Sequence, residues 1–145
     1  MGNENKPYDA AIARLAELST PPNAAPLQPA LHMATRVLRA VAAWPERNGL
    51  GLPPPQVSRG DDNTLQVEWN GDNRGLELIF SQNGDIAWAA DNNGLYDEGE
   101  LIPVRRSATG RRRAISRGDA DEMIHAVCET VKYVFERDWR NGDEP

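Results

Sequence analysis

The chain has 145 residues, of which 39% are hydrophobic and 26% charged, with a formal net charge of −6. This suits one domain that buries a core without metals or disulfides, and the single cysteine, Cys128, excludes an intrachain disulfide and a multi-cysteine metal site. No apolar run approaches the roughly 20 residues that span a bilayer, and the N-terminal residues lack the apolar stretch of a secretory signal. We therefore expect a cytoplasmic protein with no membrane partner and a single domain over residues 1–145.

Residues 7–44 have the pattern of two antiparallel helices. Pro7 suits the first turn of a helix, and apolar residues then recur at three- and four-residue steps. These residues are Tyr8, Ala11, Ile12, Leu15 and Leu18. Prolines between residues 21 and 29 end this helix, and Pro29 begins a second one that stops at Pro45. The second stripe is Leu31, Thr35, Leu38 and Ala42, with Val37, Val41 and Trp44 alongside.

From about residue 55 the apolar period changes from 3.6 to 2, which indicates strands. The segments TLQVEW, LELIF and DIAW are separated by the turns NGDNRG and SQNG, an arrangement typical of an antiparallel meander. Each segment places one large aromatic on its apolar side: Trp69, Phe80 and Trp88. A further short strand is expected at Gln56–Ser58. We predict four to five strands within residues 55–116, with the helices covering their apolar side.

The last predicted element is a long helix over residues 119–140. Ser116 and Asp119 fit its N-terminal cap, and an apolar seam follows. The seam consists of Ile124, Val127, Val131 and Phe135, widened by Cys128, Val134 and Trp139. Residues 141–145 are expected to be a frayed tail. The fold class that follows is α+β, with two N-terminal helices, an antiparallel meander and a long C-terminal helix packed on the sheet.

Catalytic signals are weak in this sequence. Nucleophilic catalysis needs a nucleophile, a base and an orienting group, yet His32 and His125 fall at surface or boundary positions and Cys128 lies on an apolar helix face. Glu68 and Glu77 are predicted to face each other across a hairpin, where paired glutamates usually keep a solvated face soluble. No Walker A, GxGxxG, HExxH or CxxC pattern occurs. We predict no enzyme activity, no cofactor and no metal.

The segment RRSATGRRRAISR, residues 105–117, holds six arginines and no acidic residue. It contributes +6 to a chain of net charge −6, so the other 132 residues sum to −12. The run just before it, DNNGLYDEGE over residues 91–100, is acidic. The arginine segment is compatible with a basic hairpin of LIPVRR and RRRAIS closed by SATG, or with an exposed loop that leads into the last helix.

Two binding functions follow from this charge pattern. Arginines contact phosphates, but the segment lacks the aromatic residues that stack on single-stranded bases, and an acidic remainder repels a polyanion. Pairing with acids of the same protein, of a second copy in a homodimer, or of another protein needs no such partner. We predict a protein interface, with nucleic-acid binding by the arginines as the alternative. The predicted partner-binding residues are Arg105, Arg106, Arg111, Arg112, Arg113, Arg117, Asp97, Glu98 and Glu100.

The central block resembles a sequence pattern found in a diffuse set of small bacterial proteins; it reads GLGLPPPQVSRGDDNTLQVEWNGDNRGLELIFSQNGDIAW. In these proteins, paired N-terminal helices precede a meander with the same order and spacing of strand and turn segments. The resemblance covers about Tyr8 to Trp88. It implies an α+β fold and no established activity. A looser similarity, in size, charge and element order, is to secretion-effector chaperones; immunity proteins, antitoxins and phage-encoded inhibitors share the acidic, motif-free character. The chaperones, immunity proteins, antitoxins and inhibitors all act by binding another protein, and this similarity implies the same for the present chain.

Overall fold

The structure is a computed structural model that describes residues 6–18, 28–61, 63–101, 117–136 and 138–141. In chain order its elements are α1 (Lys6–Leu18), α2 (Gln28–Ala43), β1 (Pro55–Arg59), β2 (Leu65–Asn70), β3 (Arg74–Phe80), β4 (Ile86–Asn92), β5 (Leu95–Leu101) and α3 (Arg117–Phe135). Short 3₁₀ turns occupy Pro45–Gly49 and Trp139–Asn141. The predicted α+β fold, with two N-terminal helices, an antiparallel sheet and a C-terminal helix, is confirmed.

The sheet is a simple meander in which the strands follow one another in the order β1-β2-β3-β4-β5, all antiparallel. Because side chains alternate across a strand, the register decides which residues share a face. Val57 pairs with Val67, Val67 with Leu78, and Leu78 with Trp88, so the predicted apolar positions form one continuous face. The short strand expected at Gln56–Ser58 extends over Pro55–Arg59.

The three helices cover this apolar face and form the core with it. Trp69 and Phe80 are buried there, and the indole Nε1 of Trp69 donates to the hydroxyl of Tyr8 on α1 at 3.2 Å. Helix α2 is buried along a wider face than the predicted stripe, because it packs against both other helices and the sheet. Its buried residues are Ala30, Leu31, Met33, Ala34, Val37, Leu38 and Val41.

Strand β5 was not predicted, and it is made of the acidic run. A two-residue turn of Asn93 and Gly94 joins it to β4, with φ of 52° and 90° at the two positions. Positive φ at both residues is the type I′ geometry that matches the twist of a hairpin, and Asn and Gly tolerate it best. Leu101 is the last residue of β5; the rest of LIPVRR and all of RRRAIS lie outside the described residues, so the alternatives of a basic hairpin and an exposed loop both stay predictions.

Helix α3 ends at Phe135, earlier than the predicted residue 140. The buried side chain of Asn92 explains the early end: its Nδ2 donates to the carbonyl of Val134 at 2.7 Å, and its Oδ1 accepts from the backbone N–H of Trp139 at 3.2 Å. Arg74 Nη1 also donates to the Phe135 carbonyl at 3.1 Å. These side chains take the place of the next helical hydrogen bonds, so the chain turns away and buries Trp139 separately.

Candidate interaction surface on the sheet

The face of the sheet opposite the helices is named here the open face. Its described positions are Gln56 and Ser58 on β1, Gln66, Glu68 and Asn70 on β2, Gly75, Glu77 and Ile79 on β3, Ala87, Ala89 and Asp91 on β4, and Tyr96, Glu98 and Glu100 on β5. Five of these positions are carboxylates and none is a lysine or arginine. The open face is therefore uniformly negative over the described strands.

Glu68 and Glu77 lie directly opposite each other at the centre of the open face, as predicted from the hairpin. Partial burial raises the pKa of Glu77, and the neighbouring charge of Glu68 raises it further. Glu68 Oε2 accepts a hydrogen bond from Asn70 Nδ2 at 2.9 Å. Like charges directly opposite each other on a sheet are destabilising, so this pair costs the free protein stability that a cationic partner would restore.

The open face is hollowed around β4, because the side chains there are small. A depression of about 360 Å³ lies over Gly75 and Ala89, bounded by Glu77 and Tyr96. Tyr96 is 66% exposed, and its hydroxyl donates to Glu98 Oε2 at 2.7 Å. This hydrogen bond raises the pKa of Tyr96, with smaller contributions from burial and nearby carboxylates. The result is an aromatic ring held beside an acidic depression.

The three predicted acidic binding residues lie on β5 but do not share one face. Glu98 and Glu100 pair with Ala89 and Ala87, so they belong to the open face. Asp97 pairs with Ala90 and lies on the helix side, where its Oδ2 accepts from the hydroxyl of Tyr133 at 2.9 Å. Asp97 thus has a partner within the protein, whereas Glu98 and Glu100 project from the opposite side of the strand.

The predicted arginines fall almost wholly outside the described residues. Arg105, Arg106, Arg111, Arg112 and Arg113 lie there, and Arg117 is the first residue of α3. Their assignment as partner-binding residues and the nucleic-acid alternative both stay predictions. Sequence reasoning did not join Glu68 and Glu77 with the acids of residues 91–100 in one acidic face, and it missed Tyr96. The period-2 pattern of β2, β3 and β4 contained that signal, but only the β5 pairing brings Tyr96 and Glu98 beside Glu77.

The two histidines and the cysteine considered for catalysis lie on helices, not on the open face with Glu68 and Glu77. His32 and His125 are exposed on different helices, and His125 Nε2 lies 3.9 Å from Glu129 Oε1. Burial raises the pKa of the Cys128 thiol, and the charges of Glu129 and Glu46 raise it further. A raised thiol pKa lowers the thiolate fraction, whereas nucleophilic cysteines need the opposite shift. The local environment of Cys128 is therefore that of a half-buried structural side chain.

A polar cleft of about 710 Å³ lies at the end of the sheet, beside the two hairpin turns and the C-terminal end of α3. Three of its charged residues, Arg74, Asp138 and Arg140, make contacts that hold these segments together. Arg74 donates to the end of α3, and Asp138 Oδ1 accepts from Asn93 Nδ2 at 3.1 Å and from the backbone N–H of Arg140 at 3.0 Å. These hydrogen bonds join the hairpin turns to the end of α3, although Arg74 Nε is buried without a hydrogen-bond partner among the described residues.

Comparison with protein-family models, with curated proteins and with solved structures gives no match. The resemblance to small bacterial α+β proteins and to secretion-effector chaperones therefore stays a prediction. Over the described ranges, no group of three or more histidine, cysteine or acidic side chains is placed to hold a metal ion. In the same ranges, no helix is long and apolar enough to cross a membrane.

Proposed function

We propose that the protein is a non-enzymatic binding module that contacts a basic region of another protein through the open face. The observation that supports this is the uniform charge of that face, on which five carboxylates stand without a basic residue among the described positions. This refines the interface predicted from the sequence, because the acids that share a surface come from four adjacent strands. Such a surface would suit a chaperone, an immunity protein, an antitoxin or a phage-encoded inhibitor that masks a basic target.

Charge is distributed unevenly between the two layers, which supports the proposal. Two salt bridges join basic and acidic side chains on the helix side: Arg36 Nη2 lies 3.0 Å from Asp121 Oδ1, and Lys132 Nζ lies 3.3 Å from Glu46 Oε2. On the open face, no salt bridge between described residues involves a carboxylate. A cluster of unneutralised charge gives little to the stability of the free protein, but it attracts a complementary partner and speeds its association.

The shape of the open face also suits a protein partner. The depression over Gly75 and Ala89 leaves room for side chains from a partner, and Tyr96 offers an exposed aromatic ring at its rim. Tyrosine and arginine are enriched at protein interfaces, and an arginine from a partner would find both carboxylate oxygens and an aromatic surface here. The depression is open and shallow, as expected for a contact between macromolecules.

The proposal is tested by affinity capture from the native host with a matched pair of variants. The first combines Glu68→Gln, Glu77→Gln and Glu98→Gln, which removes three charges from the open face. The control combines Glu17→Gln, Glu129→Gln and Glu136→Gln, which removes three charges from exposed positions on α1 and α3 and just after α3. Proteins bound by the wild type should be retained by the control and lost by the open-face variant, as measured by quantitative mass spectrometry.

Two outcomes of this experiment contradict the proposal. Equal recovery of the bound proteins by both variants would show that the open face is not the interface. Capture of nothing above background by the wild type would contradict a protein-binding function. Circular dichroism of each variant confirms that both remain folded before the capture is compared.

A further inference from the structure

We infer that the partner binds by adding an extended, basic segment to the outer edge of β5 as a sixth strand of the sheet. This inference rests on the proposed function and specifies how the partner is held and what chemistry it has. An extended peptide gains affinity from main-chain hydrogen bonds to a sheet edge and specificity from alternate side chains. Both elements are present along β5.

The type I′ turn fixes which backbone groups of β5 face outward. Asn92 and Leu95 flank the two-residue turn, so they form a pair that exchanges hydrogen bonds, and the pattern alternates from there. The N–H and C=O groups of Asp97 and Gly99 therefore point to β4. Those of Tyr96, Glu98 and Glu100 point away from the sheet, and within the described chain no strand pairs with them.

The bond made by the Glu98 N–H agrees with this direction. It donates to Oδ1 of the preceding Asp97 at 2.9 Å, so it does not take part in the ladder with β4. Asp97 still accepts the Tyr133 hydroxyl through its other oxygen, which keeps the carboxylate satisfied if a carbonyl of a partner strand replaces Oδ1. A local side-chain bond of this kind is readily exchanged for a regular ladder bond.

The two edges of the sheet differ in how they are protected. Strand β1 begins at Pro55 after Pro53 and Pro54, is short and is packed against α1. Proline and covering by a helix are common ways of blocking an edge. Strand β5 contains no proline, and its first residues, Leu95 and Tyr96, are the exposed large hydrophobic residues of the described chain. Strand addition is thus directed to β5.

Because β5 is acidic, pairing of its outer edge with a basic strand is favoured over pairing with β5 of a second copy of the protein. Antiparallel pairing of β5 with itself, centred on Glu98, would place glutamates opposite one another and Tyr96 opposite Glu100. Like charges directly opposite on a sheet are destabilising. A segment that alternates arginine or lysine with small polar residues would instead place its cations beside Glu98 and Glu100 on the open face.

The test uses a synthetic eight-residue peptide of alternating arginine and threonine, with blocked ends, and isothermal titration calorimetry. Binding to the Glu100→Pro variant is compared with binding to Glu100→Gln. Both variants lose the same charge, but only proline lacks the outward N–H, and the preceding Gly99 has no Cβ to clash with the proline ring. Loss of a backbone hydrogen bond should weaken binding to the proline variant by about two- to tenfold relative to the glutamine variant.

A second measurement needs no substitution. Hydrogen exchange followed by NMR should show that saturating peptide slows exchange of the amides of Tyr96, Glu98 and Glu100. The amides of Asp97 and Gly99, already bonded to β4, should change much less. A peptide of the same sequence with N-methyl groups on alternate residues keeps the charge but loses one hydrogen-bonding edge, and it should bind more weakly.

The outcomes separate this inference from the proposed function. Strand addition is overturned if the wild type does not bind the alternating peptide, if the two Glu100 variants bind it equally, or if protection of the three amides is unchanged. The capture experiment judges the proposed function independently, because it depends on Glu68, Glu77 and Glu98 side chains. Suppose that the charge-removing variant loses the captured proteins but the two Glu100 variants bind the peptide equally. The proposed function would then be supported, and only binding by strand addition would be rejected.

Discussion

Asn92→Ala tests the reasoning that one buried amide fastens the end of α3 to the sheet. Asn92 is 0% exposed, and its side chain serves the Val134 carbonyl at 2.7 Å and the Trp139 N–H at 3.2 Å. Alanine leaves both backbone groups without that partner. A buried group left unsatisfied costs about 1–3 kcal/mol, so two such groups give a loss of roughly 2–6 kcal/mol in the free energy of unfolding.

The assay is equilibrium unfolding in urea, with the midpoint and slope fitted for each variant. Asn70→Ala is the matched control, because Asn70 also stands at the end of a strand before a turn, but it is exposed and bonds Glu68 at the surface. The control should change stability by no more than about 0.5 kcal/mol. If Asn92→Ala costs no more than Asn70→Ala, the account of this junction is wrong.

Asn92→Asp adds a pH dependence to the same test. The introduced carboxylate keeps an acceptor for the Trp139 N–H but faces the Val134 carbonyl without a donor, and burial near Asp138 raises its folded-state pKa. A carboxyl with a raised folded-state pKa destabilises the protein when ionised, so the loss is greatest above that pKa. The loss should shrink as the pH falls and the group protonates. A penalty that is independent of pH would contradict this reasoning.

Three further predictions concern the sheet and the arginines. Glu77→Gln should raise the free energy of unfolding by about 0.2–1 kcal/mol at pH 7, because it removes a like-charge pair. Since the folded-state pKa of Glu77 is raised, this gain should disappear as the pH falls below the unfolded-state pKa of the glutamate. Urea unfolding midpoints measured over this pH range test both statements. Gly99→Ala should lower the melting temperature, because its Cβ would lie 2.8 Å from Nε1 of Trp88; an unchanged melting temperature would contradict this packing. Alanine at Arg111–Arg113 should leave partner capture through the open face intact, and a salt-sensitive loss of DNA or RNA binding would instead support the nucleic-acid alternative.

The central strands were predictable because two local signals agree there. The alternation of Leu65, Val67 and Trp69 is interrupted by a turn and resumes at Leu76, so both the period and the turn chemistry indicate a hairpin. The buried face that results needs a cover, and the amphipathic helices supply it. Glu68 and Glu77 were placed opposite each other by the same reasoning.

Strand β5 was not predictable from apolar alternation, because it lies at the edge. Its side toward the helices includes Asp97 and Gly99, where a core strand would have apolar residues. Trp88 fills the space above Gly99, so a glycine is required there by packing that sequence inspection does not show. Without the strand, Asp97 and Glu98 were treated as one patch, although alternation places them on opposite faces.

The end of α3 was misjudged for a related reason. The spacing of Phe135 and Trp139 continues the helical seam, so local periodicity extends the helix. The hydrogen bonds of Asn92 and Arg74 compete with that helix, and both residues come from distant strands. Trp139 instead stacks on Tyr133 with ring centroids 4.7 Å apart. Tertiary contacts of this kind override a local pattern.

The unequal edges of the sheet limit how large an assembly built on it becomes. An edge begun by Pro55 and packed against α1 does not propagate pairing, whereas β5 offers one side for growth. A molecule with a single growing side terminates a chain of strands and does not extend it. If the proposed partner strand adds to β5, the complex would have a fixed stoichiometry, and the protein would end any filament that grows by strand addition.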